Sequence, residues 1–211
     1  MGIAKAVLPV RFQAQAFAST IPHSQFPIPV PYSHLNDYPA DIRERAARIR
    51  LACFDVDGTL TDGRLTYDDG GREYKSFHVQ DGQGLALLRK HGIAVHFVTA
   101  RGGAIAAHRA AELGASSHGD VKDKLVCVKQ IAESLSLALE QVSFMGDDLA
   151  DLRILPHVGL AVAPANAHPW VRERVHWRTN ARGGEGAARE LCDLLLGAQG
   201  HAEAILSGAL G

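Results

Sequence analysis

Residues 49–63 run Ile-Arg-Leu-Ala-Cys-Phe-Asp-Val-Asp-Gly-Thr-Leu-Thr-Asp-Gly, and the change of character at Asp55 decides the fold. Ile49 to Phe54 is short and mostly apolar, the pattern of a strand buried on both faces. It ends in Asp55 and Asp57, which flank Val56, with Gly58 behind them. Both acids therefore arrive at the carboxyl end of a strand, where ligands bind in an open α/β sheet. Val56 can turn back into the core, and Gly58 permits a sharp turn. Two carboxylates this close repel unless something positive lies beside them. A hard divalent cation such as Mg2+ suits aspartate oxygens. One acid can then be a nucleophile while the other, held off the metal, moves a proton. A bare Asp-x-Asp is also a common turn; the longer run narrows the reading.

Downstream, apolar strands alternate with helical patterns. Asp41 is placed to cap a short helix through Arg50. Leu65, Tyr67, Tyr74 and Phe77 surround an Asp-Asp-Gly-Gly turn and predict a β-hairpin, a flap over the carboxyl edge of the sheet. Asp81-Gly82-Gln83-Gly84 opens a helix from Leu85 to His91, with Asp81 as its N-cap. Ile93–Val98 is a second strand, ending in Thr99-Ala100-Arg101, followed by a helix over 104–113 and a short element near 115–118. Helical patterning over 122–135 carries Lys124. Val142–Met145 is a strand ending in Gly146-Asp147-Asp148, and 158–162 is a further strand. Helix, short strand and helix then run through Leu196, the last helix preceded by an Arg182-Gly183-Gly184-Glu185-Gly186 loop. This alternation predicts an α/β fold, a doubly wound, Rossmann-like parallel sheet with a small hairpin flap and no large cap domain. No G-x-G-x-x-G follows the first strand, so a dinucleotide is not indicated.

The run Phe54 to Gly63 resembles the first motif of the haloacid dehalogenase superfamily, whose phosphatases form an aspartyl-phosphate. Thr99, Lys124 and Gly146-Asp147-Asp148 match its second, third and fourth motifs in order. Singly, each has a plain alternative: a cap, a solvated lysine, a surface turn. Asp62-Gly-Arg-Leu-Thr-Tyr67, Phe77-His-Val-Gln-Asp-Gly-Gln-Gly84, Lys122-Asp-Lys-Leu125, Gly146-Asp-Asp-Leu-Ala-Asp-Leu152 and Gly159-Leu-Ala-Val-Ala163 are similar to the 3-deoxy-D-manno-octulosonate 8-phosphate phosphatases. The resemblance spans roughly 45–196.

The resemblance implies a Mg2+-dependent phosphomonoesterase acting on a sugar acid phosphate of lipopolysaccharide precursor synthesis. Asp55, Asp57, Thr99 and Lys124 would be catalytic. Asp55, Asp57 through its carbonyl, and Asp147 would hold the metal, with Asp148 behind them. His78, Asp81, Gly82, Arg101, Arg109 and Arg182 would bind substrate. It also implies a homotetramer whose flaps meet around an axis, the Arg182–Gly186 loop reaching a neighbour's site. The chain departs from the family at Ala86, where many members are basic, and at His78, where Asn or Asp is frequent. The sugar acid therefore stays open, a nine-carbon sialic-acid-type 9-phosphate being the alternative. A non-catalytic oligomerisation module is the alternative from another class, opposed by retention of Asp55, Asp57, Lys124 and Asp147.

Composition is that of a soluble globular protein. The chain has 211 residues, is 46% hydrophobic and 21% charged, and carries a formal net charge of −1. That charge points to neither nucleic acid nor an anionic membrane as partner. No apolar run is long enough for a membrane span. Cys53, Cys127 and Cys192 sit in apolar contexts, as reduced thiols of a cytoplasmic protein do. The eleven histidines show no close metal-ligand spacing. Residues 1–40 hold six of the nine prolines and no acid before Asp37, which predicts an extended or disordered arm. Ala16-Phe17-Ala18 faintly resembles a signal cleavage site, but Arg11 interrupts the apolar core such a signal needs. The phosphatase domain is expected over 41–197, and 198–211 as a flexible tail.

Overall fold

The computed structural model describes residues 38–210, so nearly all of the N-terminal arm expected over 1–40 lies outside the described residues. The sheet has six strands in the order β5-β4-β1-β6-β7-β8, every neighbouring pair parallel. They are β1 (Leu51–Phe54), β4 (Ala94–Val98), β5 (Ser116–His118), β6 (Val142–Met145), β7 (Leu160–Ala163) and β8 (Trp177–Arg178). The chain leaves β1 toward β4 and β5 on one side, then crosses to β6 on the other. Asp55 thus stands at the point where strand order reverses, the crevice in which doubly wound sheets bind ligands.

The strand residues divide cleanly between two cores. Ala52 and Phe54 pack with α1 (Ala40–Arg48), α2 (Val79–Lys90), α3 (Ala104–Glu112) and α6 (Ala187–Ala198). Leu51 and Cys53 pack on the other face with α4 (Lys124–Ser134) and α5 (Pro169–Arg172). This alternation follows from the two-residue period of a strand, and all four β1 residues are fully buried. Cys53, Cys127 and Cys192 are free thiols.

Between β1 and α2 lies only the two-stranded hairpin of β2 (Thr66–Tyr67) and β3 (Glu73–Tyr74). Its turn is fixed by Asp68, whose carboxylate accepts from the amides of Gly70 at 3.0 Å and Arg72 at 2.9 Å. No large cap domain interrupts the described residues, as expected.

Two local expectations change. The helix expected from Leu85 begins at Val79, with His78 at its N-cap, so Asp81 lies inside the first turn. Gly82 and Gly84, which look like turn residues, are helical glycines. A Cβ on Gly84 would stand 2.9 Å from Cys192 Cβ, so its absence lets α2 pack closely on α6. The second change is at α1, where Pro39 is the N-cap and Asp41 lies inside the first turn; at the end of the chain Ala202–Leu210 form α7, with Ile205 packed against the core. Among the described residues no helix is long and apolar enough to cross a membrane.

Candidate active site

The first-motif turn is wound tightly around Val56, whose carbonyl accepts from the amides of Thr59, Leu60 and Thr61 at 3.3, 2.9 and 3.0 Å. Gly58 has φ +94°, and a Cβ there would overlap the Asp147 carboxylate. Conformation therefore favours glycine here, and any Cβ would also have to displace the Asp147 carboxylate. Thr59 Oγ1 donates to Asp147 Oδ1 at 3.0 Å, tying the ends of β1 and β6 together.

Lys124 is the first residue of α4. Its neighbour Asp123 caps the helix, accepting from Leu125 N and Val126 N. The Lys124 side chain is 3% exposed, and its ammonium lies 2.8 Å from Asp55 Oδ1 and 2.6 Å from Asp151 Oδ1. Asp151 is fully buried, and its other oxygen accepts from Asp147 N at 2.9 Å and Asp148 N at 3.1 Å. One carboxylate thus orients the lysine and the backbone that presents Asp147. Sequence reasoning gave Asp151 no role. Its position four residues after Asp147 in a short turn was the available signal, since a carboxylate there can fold back onto the turn's own amides.

Carboxylate oxygens of Asp55, Asp147 and Asp151 all lie within 4.8 Å of one another. Two buried acids, Asp55 and Asp151, and the half-buried Asp147 face one lysine. Burial and the Asp151 charge push Asp55 up to about 7, although Lys124 pulls the other way. Burial, then Asp55 and Asp151, push Asp147 up to about 7. Burial opposes the Lys124 charge, but Asp55 and Asp151 outweigh it and hold its pKa above the ordinary lysine value. The site is short of positive charge, and an all-oxygen donor set of this kind fits a hard divalent cation.

Asp148 is exposed and outside this cluster, capping a 3-10 turn by accepting from Leu149 N at 2.8 Å. Asp57 is also outside it. Its carboxylate is paired with the ammonium of Lys75, and Arg101 Nε lies 3.8 Å from its other oxygen. Glu73 of the hairpin joins the two cations, 3.1 Å from Lys75 Nζ and 3.1 Å from Arg101. Arg101 also donates to the Tyr67 hydroxyl at 3.3 Å. Lys75, Glu73 and Tyr67 were not singled out from sequence as site residues, because only the folded hairpin brings them over Asp57. Thr99 is buried just beyond β4, the strand beside β1, and accepts from Arg101 N at 3.2 Å.

His78, Asp81, Gly82 and Arg109 converge on a small recess walled by Leu60, Phe77 and Phe97. Asp81 is 2% exposed, and one of its oxygens accepts from Arg189 N at 2.7 Å, so it caps α6 across the interface rather than its own helix. Burial raises its pKa. Its other oxygen and His78 Nδ1 are buried without a hydrogen-bond partner. Arg109 lies over the Phe77 ring and pairs with Glu112 at 2.8 Å. Arg182 is apart from this group, its side chain 64% exposed and 3.9 Å from Glu185. The backbone of the loop it heads lies on its own chain's first-motif turn, Gly184 N donating to Thr59 O at 3.1 Å, and Gly183 N donates to Asn166 Oδ1 at 2.8 Å.

Comparison with known proteins agrees with this geometry. A family model described as haloacid dehalogenase-like hydrolase matches residues 120–191. The 3-deoxy-D-manno-octulosonate 8-phosphate phosphatase of Yersinia pestis is 41% identical over 164 residues, covering 77% of this chain and 88% of that protein. A hypothetical protein of Xanthomonas campestris has a crystal structure that superposes with a TM-score of 0.81 at 55% identity, over 85% of this chain and 98% of that one. The Moraxella catarrhalis 3-deoxy-D-manno-octulosonate 8-phosphate phosphatase, solved with magnesium, phosphate and the sugar acid, superposes with a TM-score of 0.79 at 35% identity, over 81% of this chain and 99% of that one. A Rossmann-like sheet with acids and a lysine gathered at its switch point is, with these matches, a phosphatase of the haloacid dehalogenase class. Within that class the chain belongs to the family of the 3-deoxy-D-manno-octulosonate 8-phosphate phosphatases.

Proposed function

We propose that this phosphatase hydrolyses 3-deoxy-D-manno-octulosonate 8-phosphate through an aspartyl-phosphate on Asp55, in the cytoplasm, during lipopolysaccharide precursor synthesis. The observation that carries the mechanism is the division of labour at the strand end. Asp55 is buried against Lys124, while Asp57, two residues on, is turned away from the acid cluster. The Asp55 carboxylate attacks phosphorus in line with the leaving sugar oxygen, and Lys124 keeps that carboxylate oriented. Asp57 gives its proton to the departing oxygen, then takes one from the water that hydrolyses the phospho-enzyme. Thr99, Lys124 and the amides beyond Asp55 stabilise the equatorial oxygens. Asp55, the Asp57 carbonyl and Asp147 would hold Mg2+, with Asp151 fixing the Asp147 backbone. Bound there, Mg2+ supplies the positive charge that the three acids lack and that the phosphoryl oxygens require.

Arg101 and Arg109 suit the substrate carboxylate, since a guanidinium grips it bidentately. His78, Asp81 and Gly82 border the sugar side, and Arg182 stands at the rim. The hairpin exposes Leu65, Tyr67 and Tyr74 at 47%, 53% and 51%, apolar area that a tetramer of flaps would cover. A panel of sugar phosphates assayed with Mg2+ tests the reading. The eight-carbon acid should give the highest kcat/KM, above a nine-carbon sugar acid 9-phosphate and neutral hexose phosphates. Preference for any of the others would overturn the substrate assignment.

A further inference from the structure

Lys75 is an unassigned residue in contact with the proposed acid–base group. It follows β3 at the exit of the hairpin, and its side chain is 8% exposed. Lysine is rarely so covered without a partner, and here the partners are two acids. Its ammonium is bonded to Asp57 Oδ1 and lies 3.1 Å from Glu73 Oε1. The Asp57 side chain is itself 19% exposed, and among the described residues the only other cation beside it is Arg101, at 3.8 Å. Both Glu73 carboxylate oxygens in turn lie 3.1 Å from Arg101 Nη2, from which they accept. The four side chains form a closed ionic chain: Asp57, Lys75, Glu73, Arg101, and back to Asp57.

We propose that Lys75 is the positioning residue for Asp57. This rests on the acid–base role given to Asp57 above. Asp57 and Asp55 leave the same strand end, and the acid cluster lies within reach of that turn. A free Asp57 carboxylate has several rotamers, including ones turned toward solvent. The Lys75 ammonium selects one and holds it on the hairpin side, apart from Asp55, Asp147 and Asp151. Because Lys75 is carried by the flap, this bond also makes the alignment of Asp57 depend on the flap being seated. Glu73 fixes Lys75 from the far side, so the ammonium cannot swing off with solvent.

The role separates from a merely structural one by its dependence on the leaving group. An alkyl oxygen needs a proton as the P–O bond breaks; a nitrophenolate leaves without one. The constant kcat/KM reports steps only through that departure, so it isolates the acid role of Asp57 from its later base role. The experiment compares Lys75→Met, Lys75→Arg and Asp57→Asn on 3-deoxy-D-manno-octulosonate 8-phosphate and on 4-nitrophenyl phosphate, with Mg2+. General acid catalysis is worth about 10²–10⁴-fold. In Lys75→Met the sugar phosphate should therefore lose at least about tenfold more kcat/KM than the aryl phosphate, and Lys75→Arg should recover most of that difference. Equal losses on both substrates, or no loss on either, would overturn the proposal. If Asp57→Asn shows the leaving-group difference and Lys75→Met does not, Lys75 alone is misassigned. If Asp57→Asn also lacks it, the acid–base reading of Asp57 falls with it. Should Lys75→Met fail to fold, Lys75→Gln decides: it removes the charge but keeps a polar side chain, and it must lower the sugar-to-aryl ratio by at least about tenfold; an unchanged ratio sinks the idea.

Discussion

Gly183 lies directly on Gly58: a Cβ at position 183 would overlap the Gly58 carbonyl oxygen. The loop before α6 is therefore part of the wall of its own chain's first-motif turn. A Gly183→Ala substitution must push that turn aside, because the obstacle is backbone and cannot rotate away. Overpacking of this kind costs about 1–3 kcal/mol, and a displaced turn misplaces Asp57 and the phosphate amides, an effect on the order of 10²-fold in kcat. Urea unfolding and steady-state assays of Gly183→Ala check both. Arg182→Ala, next door but exposed, should change stability by less than about 0.5 kcal/mol. Equal destabilisation by the two would show that the close approach is not what the loop depends on.

Asp151 is expected to matter as much as the residues that sequence made conspicuous. Replacing it with alanine strands the buried Lys124 ammonium on one side and removes the acceptor for two backbone amides. Removing one partner of a buried pair costs about 3–5 kcal/mol. Asp151→Ala should therefore lower the urea midpoint strongly and reduce turnover. Asp151→Asn, which keeps an acceptor, should lose less stability while still weakening the hold on Lys124. A stability change within about 0.5 kcal/mol for Asp151→Ala, the size of an ordinary surface substitution, would refute the role.

Asp151 and Lys75 show where reading the chain stopped. β1 was legible because a strand buried on both faces must be apolar, and Asp55, Thr99 and Asp147 were legible because each breaks such a run at the same end. Lys124 was legible as a lysine in a matching order, but not as a helix's first residue buried between two acids. Lys75 pairs with Asp57 only after the hairpin folds back over the turn, and no local pattern encodes that return. Asp81 misled for the opposite reason. Asp-Gly-Gln-Gly is good turn chemistry, yet packing of Gly84 against Cys192 and of Asp81 against the α6 amides favours helix there. Tertiary packing outweighs local propensity of this size. The small residues of the C-terminal stretch concealed α7 similarly, since its support is the contact of Ile205 with the core.

A pH effect on stability should arise away from the active site. His96 on β4 and His118 on β5 meet with their ring nitrogens 3.0 Å apart. Burial, with His118 adding to it, pulls His96 down from 6.5 to about 4. The neutral form is thus favoured in the folded protein, and the unfolded chain binds more protons between those values. Stability from this group is present above about pH 6.5 and is lost as pH falls toward 4. Thermal midpoints measured from pH 7 to pH 4.5 should fall less steeply in His96→Gln than in the parent. Parallel curves for the two proteins would exclude the histidine pair as a source.

At the metal site the same linkage runs with opposite sign. Without a cation, Asp55 and Asp147 have folded pKa values raised from 3.8 to about 7. The folded protein then binds more protons than the unfolded chain across that interval. The contribution of these two groups is complete below about pH 4 and is lost as pH rises through about 7. Chelator-treated protein should accordingly be destabilised at pH 8 relative to a variant lacking one of the acids, such as Asp147→Asn. A divalent cation that binds only the folded state reverses this, contributing about 2.7 kcal/mol at a hundredfold excess over its Kd. For a domain of this size that is a rise of roughly 5–10 °C in Tm. Differential scanning calorimetry with Mg2+ at pH 8 should show the rise in the parent, a smaller one at pH 6, and little in Asp147→Asn or Asp55→Asn. The readout does not involve turnover, so it stands apart from the identity of the substrate. A Tm unmoved by Mg2+ at pH 8, or an equal rise in Asp147→Asn, would mean that the cluster of Asp55, Asp147 and Asp151 is not where the cation binds.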